Sequence, residues 1–143
     1  MAAKPTPVPA LDPEQAIRAL ATEFETHYNA RNIEKLVSLF TSDGRLMPEF
    51  RQVAQGRDEL RTMLEEGFQK HDPLNTVIET QHVEYSEDTA FSIGTCSNNI
   101  RMPDGTRRDD RTKWVTALRR ERGQWKLVAL INNTDLPMPG MES

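Results

Sequence analysis

The stretch Tyr28–Phe50, YNARNIEKLVSLFTSDGRLMPEF, decides the fold. One amphipathic helix stops inside it, a second starts three or four residues later, and that one breaks at Thr41-Ser42-Asp43-Gly44 into a strand. Upstream, Asp12-Pro13-Glu14-Gln15 opens the first helix: Asp12 caps it, Pro13 suits the first helical position and Gln15 completes a capping box. Ile17, Leu20, Ala21, Phe24 and Tyr28 recur at intervals of three and four and form one buried stripe. Asn32 caps the second helix, whose Leu36, Val37, Leu39 and Phe40 make its apolar side, and Gly44 reads as its left-handed stop. Arg45–Pro48 then reads as a short edge strand halted by proline.

Further along, Gln55-Gly56 leads into a third helix from Arg57 to about Lys70, with Leu60, Met63, Leu64, Gly67 and Phe68 inward and His71-Asp72-Pro73 ending it. The remainder reads as strands over 75–85, 89–102, 106–120 and 124–133, joined by turns at Ser86-Glu87-Asp88, Pro103-Asp104-Gly105 and Glu121-Arg122-Gly123. Helix, helix, strand, helix, then four antiparallel strands is an α+β layout. It predicts a cone in which three N-terminal helices pack on a strongly curved, mostly antiparallel sheet. Apolar and polar residues do not alternate cleanly in WVTAL (114–118) and WKLVALI (125–131), so both faces of those strands are expected to be buried. The helices account for one face. A two-fold homodimer through the other sheet face accounts for the second.

At 143 residues the chain builds one core, and 36% hydrophobic with 28% charged residues describes a soluble globular protein. No apolar run approaches bilayer length, so no membrane partner is expected. Arginines cluster between Arg107 and Arg122, but Asp109, Asp110 and Glu121 interrupt them and the net charge is −4; a solvated hairpin rather than a nucleic-acid surface follows. A single cysteine, Cys96, permits no internal disulfide and suits a reducing, cytoplasmic setting. Residues 1–10 read as a flexible Pro-rich tail without a signal-peptide core, 11–136 as the domain and 137–143 as a flexible C-terminal tail.

NARNIEKLVSLFTSDGRLMPEF (29–50) followed by QGRDEL (55–60) resembles the opening of the nuclear-transport-factor-2-like superfamily, with its cystatin-like cone fold, and ERGQWKLVALINN (121–133) resembles its closing strand. The nearest branch is the SnoaL-like and calcium/calmodulin-dependent kinase association-domain-like group. The likeness covers about Leu11 to Leu136 and is specific for the fold rather than for an activity. It implies a pocket in the cone. The catalytic groups of the best-known relatives do not carry over. Where steroid isomerases keep a first-helix tyrosine this chain has Phe24, their base falls at Pro48 and their buried carboxyl near Val115. The Arg-x-Asp of limonene-type epoxide hydrolases is met by Arg111-Thr112-Lys113, and a pocket arginine of the association domains by Asn132.

The remaining inventory permits a proton shuttle built from Tyr28, Glu49 or His82. Each has a plain alternative. Tyr28 packs its ring in the helix stripe, Glu49 points outward because a one-residue shift in an extended segment reverses a side chain, and His82 is a solvated strand residue. Cys96, in the small-residue run GTCSNN, is either pocket wall or an inert buried thiol, and Arg111 either meets a ligand or pairs with Asp109 or Asp110. Three histidines without metal-ligand spacing predict no metal, and nothing predicts a cofactor. The expected pocket is bounded by Phe24, Met47, Pro48, Phe50, Met63, Phe68, Asn98, Val115, Val128 and Asn132. Two functions follow. One is binding of a small, mostly apolar molecule, with acid–base isomerase, cyclase or dehydratase chemistry; the other is a non-enzymatic binding or oligomerisation module.

Overall fold

The computed structural model describes residues 12–137. The tails expected at 1–10 and 137–143 lie, apart from Pro137, outside the described residues. Three helices, α1 (Pro13–Asn29), α2 (Ile33–Ser38) and α3 (Arg57–Lys70), cover one face of a six-stranded, curled and unclosed sheet. Its strands are β1 (Phe40–Met47), β2 (Ala54–Gln55), β3 (Asp72–Ser86), β4 (Thr89–Arg101), β5 (Arg107–Glu121) and β6 (Gln124–Thr134), in spatial order β2-β1-β6-β5-β4-β3. All neighbours are antiparallel except β1 and β6.

The caps act where the sequence places them. Asp12 accepts from the Gln15 amide at 2.9 Å, and Asn32 accepts from the Lys35 amide at 3.2 Å, which satisfies donors that the first helical turn leaves free. Arg122 and Gly123, both at positive φ, form the two-residue turn between Glu121 and Gln124 that matches strand twist. Ile17, Leu20, Leu36, Val37, Leu60 and Leu64 bring the three helices together over Phe40, Leu118, Trp125 and Leu127 of the sheet. Burying such side chains is worth about 2 kcal/mol each.

Helix α1 also closes an edge. Strand β3 is outermost, and its unpaired backbone groups would otherwise face solvent. Instead Arg18 donates to the Thr80 carbonyl at 2.9 Å, Glu25 accepts from the Ile78 amide at 2.8 Å, and Asn29 both donates to the Thr76 carbonyl and accepts from its amide, at 2.9 and 2.8 Å. Arg31, just past the helix, donates to the Pro73 carbonyl at 2.8 Å and pairs with Asp72.

Three sequence expectations need correction here. The first strand starts at Phe40, not Arg45, and lies between β2 and β6 rather than at the edge. Gly44 is not a left-handed helix stop. A Cβ on it would sit 2.9 Å from the Phe40 Cβ and 3.1 Å from the Leu127 carbonyl oxygen, so glycine is required there by a close approach of β1 to β6. Between Phe40 and Arg45 the register with β6 shifts, and the turn-like residues Thr41–Gly44 are absorbed as an irregularity within the strand. Lastly, β5 alternates strictly: Thr112, Trp114, Thr116 and Leu118 are buried, whereas Val115 is 43% exposed, as is Ile131 of β6 at 42%. Within one chain the outer face of the sheet is open.

Candidate functional site

Between the helices and the inner sheet face lies a cavity of about 240 Å³. Its helical wall is apolar, from Leu20 and Phe24 of α1 to Met63 and Phe68 of α3. The sheet wall mixes Leu46, Ile78, Trp114, Leu118, Leu127 and Leu130 with uncharged polar residues: Thr76, Ser92, Asn98, Thr112, Thr116 and Asn132 face inward. They face inward because register puts them in rows, Thr76 beside Asn98, Cys96 beside Thr112, Ser92 beside Thr116 and Trp114 beside Asn132. Several satisfy one another. Thr76 donates to the Asn98 side-chain oxygen at 2.5 Å, the Ser92 and Thr116 hydroxyls are hydrogen-bonded, and the Trp114 indole donates to the Thr95 carbonyl at 3.0 Å. The Asn132 Oδ1 is buried without a partner among the described residues.

Tyr28 sits at the end of α1 with its ring between two others, near-parallel to Phe24 at 6.1 Å and tilted against Phe68 at 4.9 Å. Burial pushes its phenol up to about 12, with Cys96 and Asp110 adding to the rise and Arg31 opposing it. The phenol is therefore a neutral donor at ordinary pH. Burial also pushes the Cys96 thiol up to about 11 against hydrogen bonds with Thr112 and Asn98, so the cavity cysteine is no nucleophile.

Of the residues anticipated from sequence, Phe24, Tyr28, Pro48, Met63, Phe68, Asn98 and Asn132 line the cavity. Met47, Phe50, Val115 and Val128 do not. Leu46 takes the place given to Met47, Phe50 is 66% exposed in the loop after β1, and Val115 points to the outer face. Val128 is the extra residue of a β6 bulge: Leu118 pairs with Leu127 but Ala117 with Ala129, so inward parity switches from odd to even numbers along β6. Glu49 stands off the wall, its Oε2 accepting from the Thr134 amide at 2.6 Å. His82 lies on the outer face, 3.0 Å from Glu84 and with its ring 5.9 Å from that of Phe91.

Two charged residues escaped the sequence reading. Arg51 lines the cavity and is held by Glu66 of α3 at 2.6 Å. Asp110 pairs across the ladder with Asn98, shares the inward parity of Thr112 and Trp114, and accepts from the Thr134 hydroxyl at 2.7 Å. Among the described residues no cluster of three or more metal-type ligands occurs, and no helix is long and apolar enough to cross a membrane.

Comparison with known proteins agrees with this architecture. A ketosteroid isomerase-like protein from Erwinia carotovora atroseptica SCRI1043 is similar at 24% identity and a TM-score of 0.81, over 89% of this chain and 100% of that one. A protein of unknown function with a cystatin-like fold from Nostoc punctiforme PCC 73102 is similar at 20% identity and 0.71, over 90% and 95%. A type 2 hexachlorocyclohexane dehydrochlorinase is similar at 17% identity and 0.72, over 91% of each chain. These likenesses establish the fold. No curated protein matches the chain. The SnoaL-like domain family model matches residues 9–131, and the chain belongs to that family.

Proposed function

We propose that the chain binds a small, mostly apolar molecule in the cone cavity and, where it turns that molecule over, does so by acid–base chemistry of the isomerase, cyclase or dehydratase kind. The carrying observation is the cavity itself: an apolar helical wall facing a sheet wall of mixed polar and apolar residues, with a phenol held protonated between them. Tyr28 donates to a carbonyl or a developing oxyanion, a role that its neutral form suits. Glu49 serves from the mouth as the proton acceptor. His82, remote from the cavity, is assigned to the outer face instead. The family includes enzymes that work on small molecules, which supports the reading without fixing a substrate.

The test uses Gly67, which lines the cavity and has nothing within 4 Å of a Cβ built on it. Gly67→Leu builds a side chain from an open Cβ position on the cavity wall. Native mass spectrometry of the purified protein should show a retained small molecule that G67L loses while remaining folded. Equal retention by the variant would refute the reading.

A second observation favours assembly. Ile93, Val115, Ile131 and Met47 form one cross-strand row on the outer face, with Phe91 and Val77 near it. We infer that a second copy covers this face in a two-fold dimer. The exposed row supplies the apolar area, and the intact Cys96 thiol suits work in the reducing cytoplasm.

A further inference from the structure

At the mouth of the cavity, Glu49 follows the lining residue Pro48 and Asp110 pairs across the ladder with the lining residue Asn98. Thr134, at the end of β6, joins two carboxylates: its amide donates to Glu49 and its hydroxyl to Asp110. Both carboxylates are partly buried, and neither has a cationic partner among the described residues. Two residues before Thr134, Asn132 lines the cavity with an oxygen that nothing satisfies among the described residues. Arg31 is engaged by Asp72 and Arg51 by Glu66. Partly buried like charges without a counter-charge are costly, and a cation or strong donor relieves them.

Asp110 borders the cavity without lining it. It stands on the inner face beside Asn98, and its field bears on both Tyr28 and Cys96. Aromatic rings line the same space. Phe24, Tyr28 and Phe68 form one contiguous group, and Trp114 faces them from the sheet. The faces of such rings attract cations.

We propose that the cavity takes a small apolar amine, its ring or chain against the aromatic wall and its ammonium seated at the mouth by Asp110 and Glu49. The proposal rests on the ligand-binding reading above and names the class of its ligand. An ammonium donates up to three hydrogen bonds, which matches the two carboxylates and the unpartnered Asn132 oxygen. A carboxylic acid of the same size meets two like charges there and is excluded.

Three probes of one shape test it: 2-phenylethylamine, 2-phenylethanol and phenylacetate, titrated calorimetrically at neutral pH into the wild-type protein, Asp110→Asn and Glu49→Gln. Asn keeps the oxygen that accepts from Thr134, so D110N preserves the local hydrogen bond, and its unliganded melting temperature checks the fold. The wild type should bind the amine about tenfold more tightly than the alcohol, and phenylacetate least. D110N should erase the amine's advantage and leave alcohol affinity in place, and E49Q should reduce it. An amine no better than the alcohol, or an advantage intact in both variants, overturns the proposal while leaving the binding reading standing. Failure of all three probes overturns the binding reading and this proposal with it. Calcium chloride alone should give no binding heat at the mouth; a calcium signal that D110N removes, without amine selectivity, marks a metal seat and overturns the proposal.

Discussion

Gly94 and Gly67 face opposite fates when each gains one methyl group. Gly94 lies in β4 between Glu79 and Trp114, and a Cβ there would stand 2.1 Å from the Glu79 carbonyl oxygen and 2.4 Å from the Trp114 Cζ2. Both contacts fall roughly 1 Å short of van der Waals separation. The carbonyl belongs to the β3 backbone, so it cannot retreat without disturbing the β3–β4 ladder, and the indole is tied to the Thr95 carbonyl at 3.0 Å. Overpacking of this kind costs about 3 kcal/mol, and a lost ladder hydrogen bond adds about 1 kcal/mol. An unfolding entropy of about 2.1 cal/mol/K per residue gives about 0.3 kcal/mol/K for a chain of this length. Gly94→Ala should therefore lower the melting temperature by about 13 °C. Gly67, in the interior of α3 with nothing within 4 Å, should gain about 0.5–1 kcal/mol as alanine, a rise of about 2–3 °C. Thermal melts followed by circular dichroism at one protein concentration decide the matter. A Gly94→Ala melt within 3 °C of wild type, or a Gly67→Ala melt below it, would refute the account of both sites.

The Tyr28 phenol should resist ionisation. Its folded value of about 12 exceeds the ordinary 10.0, so its stabilising contribution is complete below pH 10 and is lost as the pH rises through 12. A difference of that size is worth about 3 kcal/mol, and a phenolate absorbance titration should show one of the two tyrosines ionising only near or during alkaline unfolding. Cys96, at about 11 against an ordinary 9.0, should react with iodoacetamide at pH 8 on the order of a hundredfold more slowly than a free thiol; labelling at the free rate contradicts its burial. Val115→Glu places a carboxylate in the outer apolar row. Light scattering of the wild type should give twice the 16.3 kDa chain mass and V115E the chain mass alone, and a monomeric wild type removes the dimer.

Helix boundaries were legible because their signals are local. Asp12, Asn32 and the His71-Asp72-Pro73 stop act within one turn of the chain, and the structure follows each of them. The hairpin turns were legible for the same reason. Pocket membership was legible on the helices and only in part on the strands, where it depends on parity summed across whole strands. The register shifts near Gln81 in β3 and at Val128 in β6 each move side chains from one face to the other, and neither position carries a local mark. Thr41–Gly44 misled for a complementary reason: its turn chemistry is genuine, but pairing of β1 with β6 overrides it. Glu49 could be singled out by its neighbours, whereas its partner Asp110 depended on a register that only the assembled sheet supplies.

The clasp between α1 and the edge of β3 has a kinetic corollary. The side chains that protect the edge belong to the helix that walls the cavity, and they reach backbone groups 47 to 62 residues away in sequence. Lifting α1 to widen the chamber exposes the Thr76 and Ile78 amides at the same moment. Those amide protons sit on an outermost strand, where exchange with solvent deuterium is ordinarily fast. Here their exchange becomes a clock for the breathing of the chamber, and a bound occupant that holds the helix down slows it.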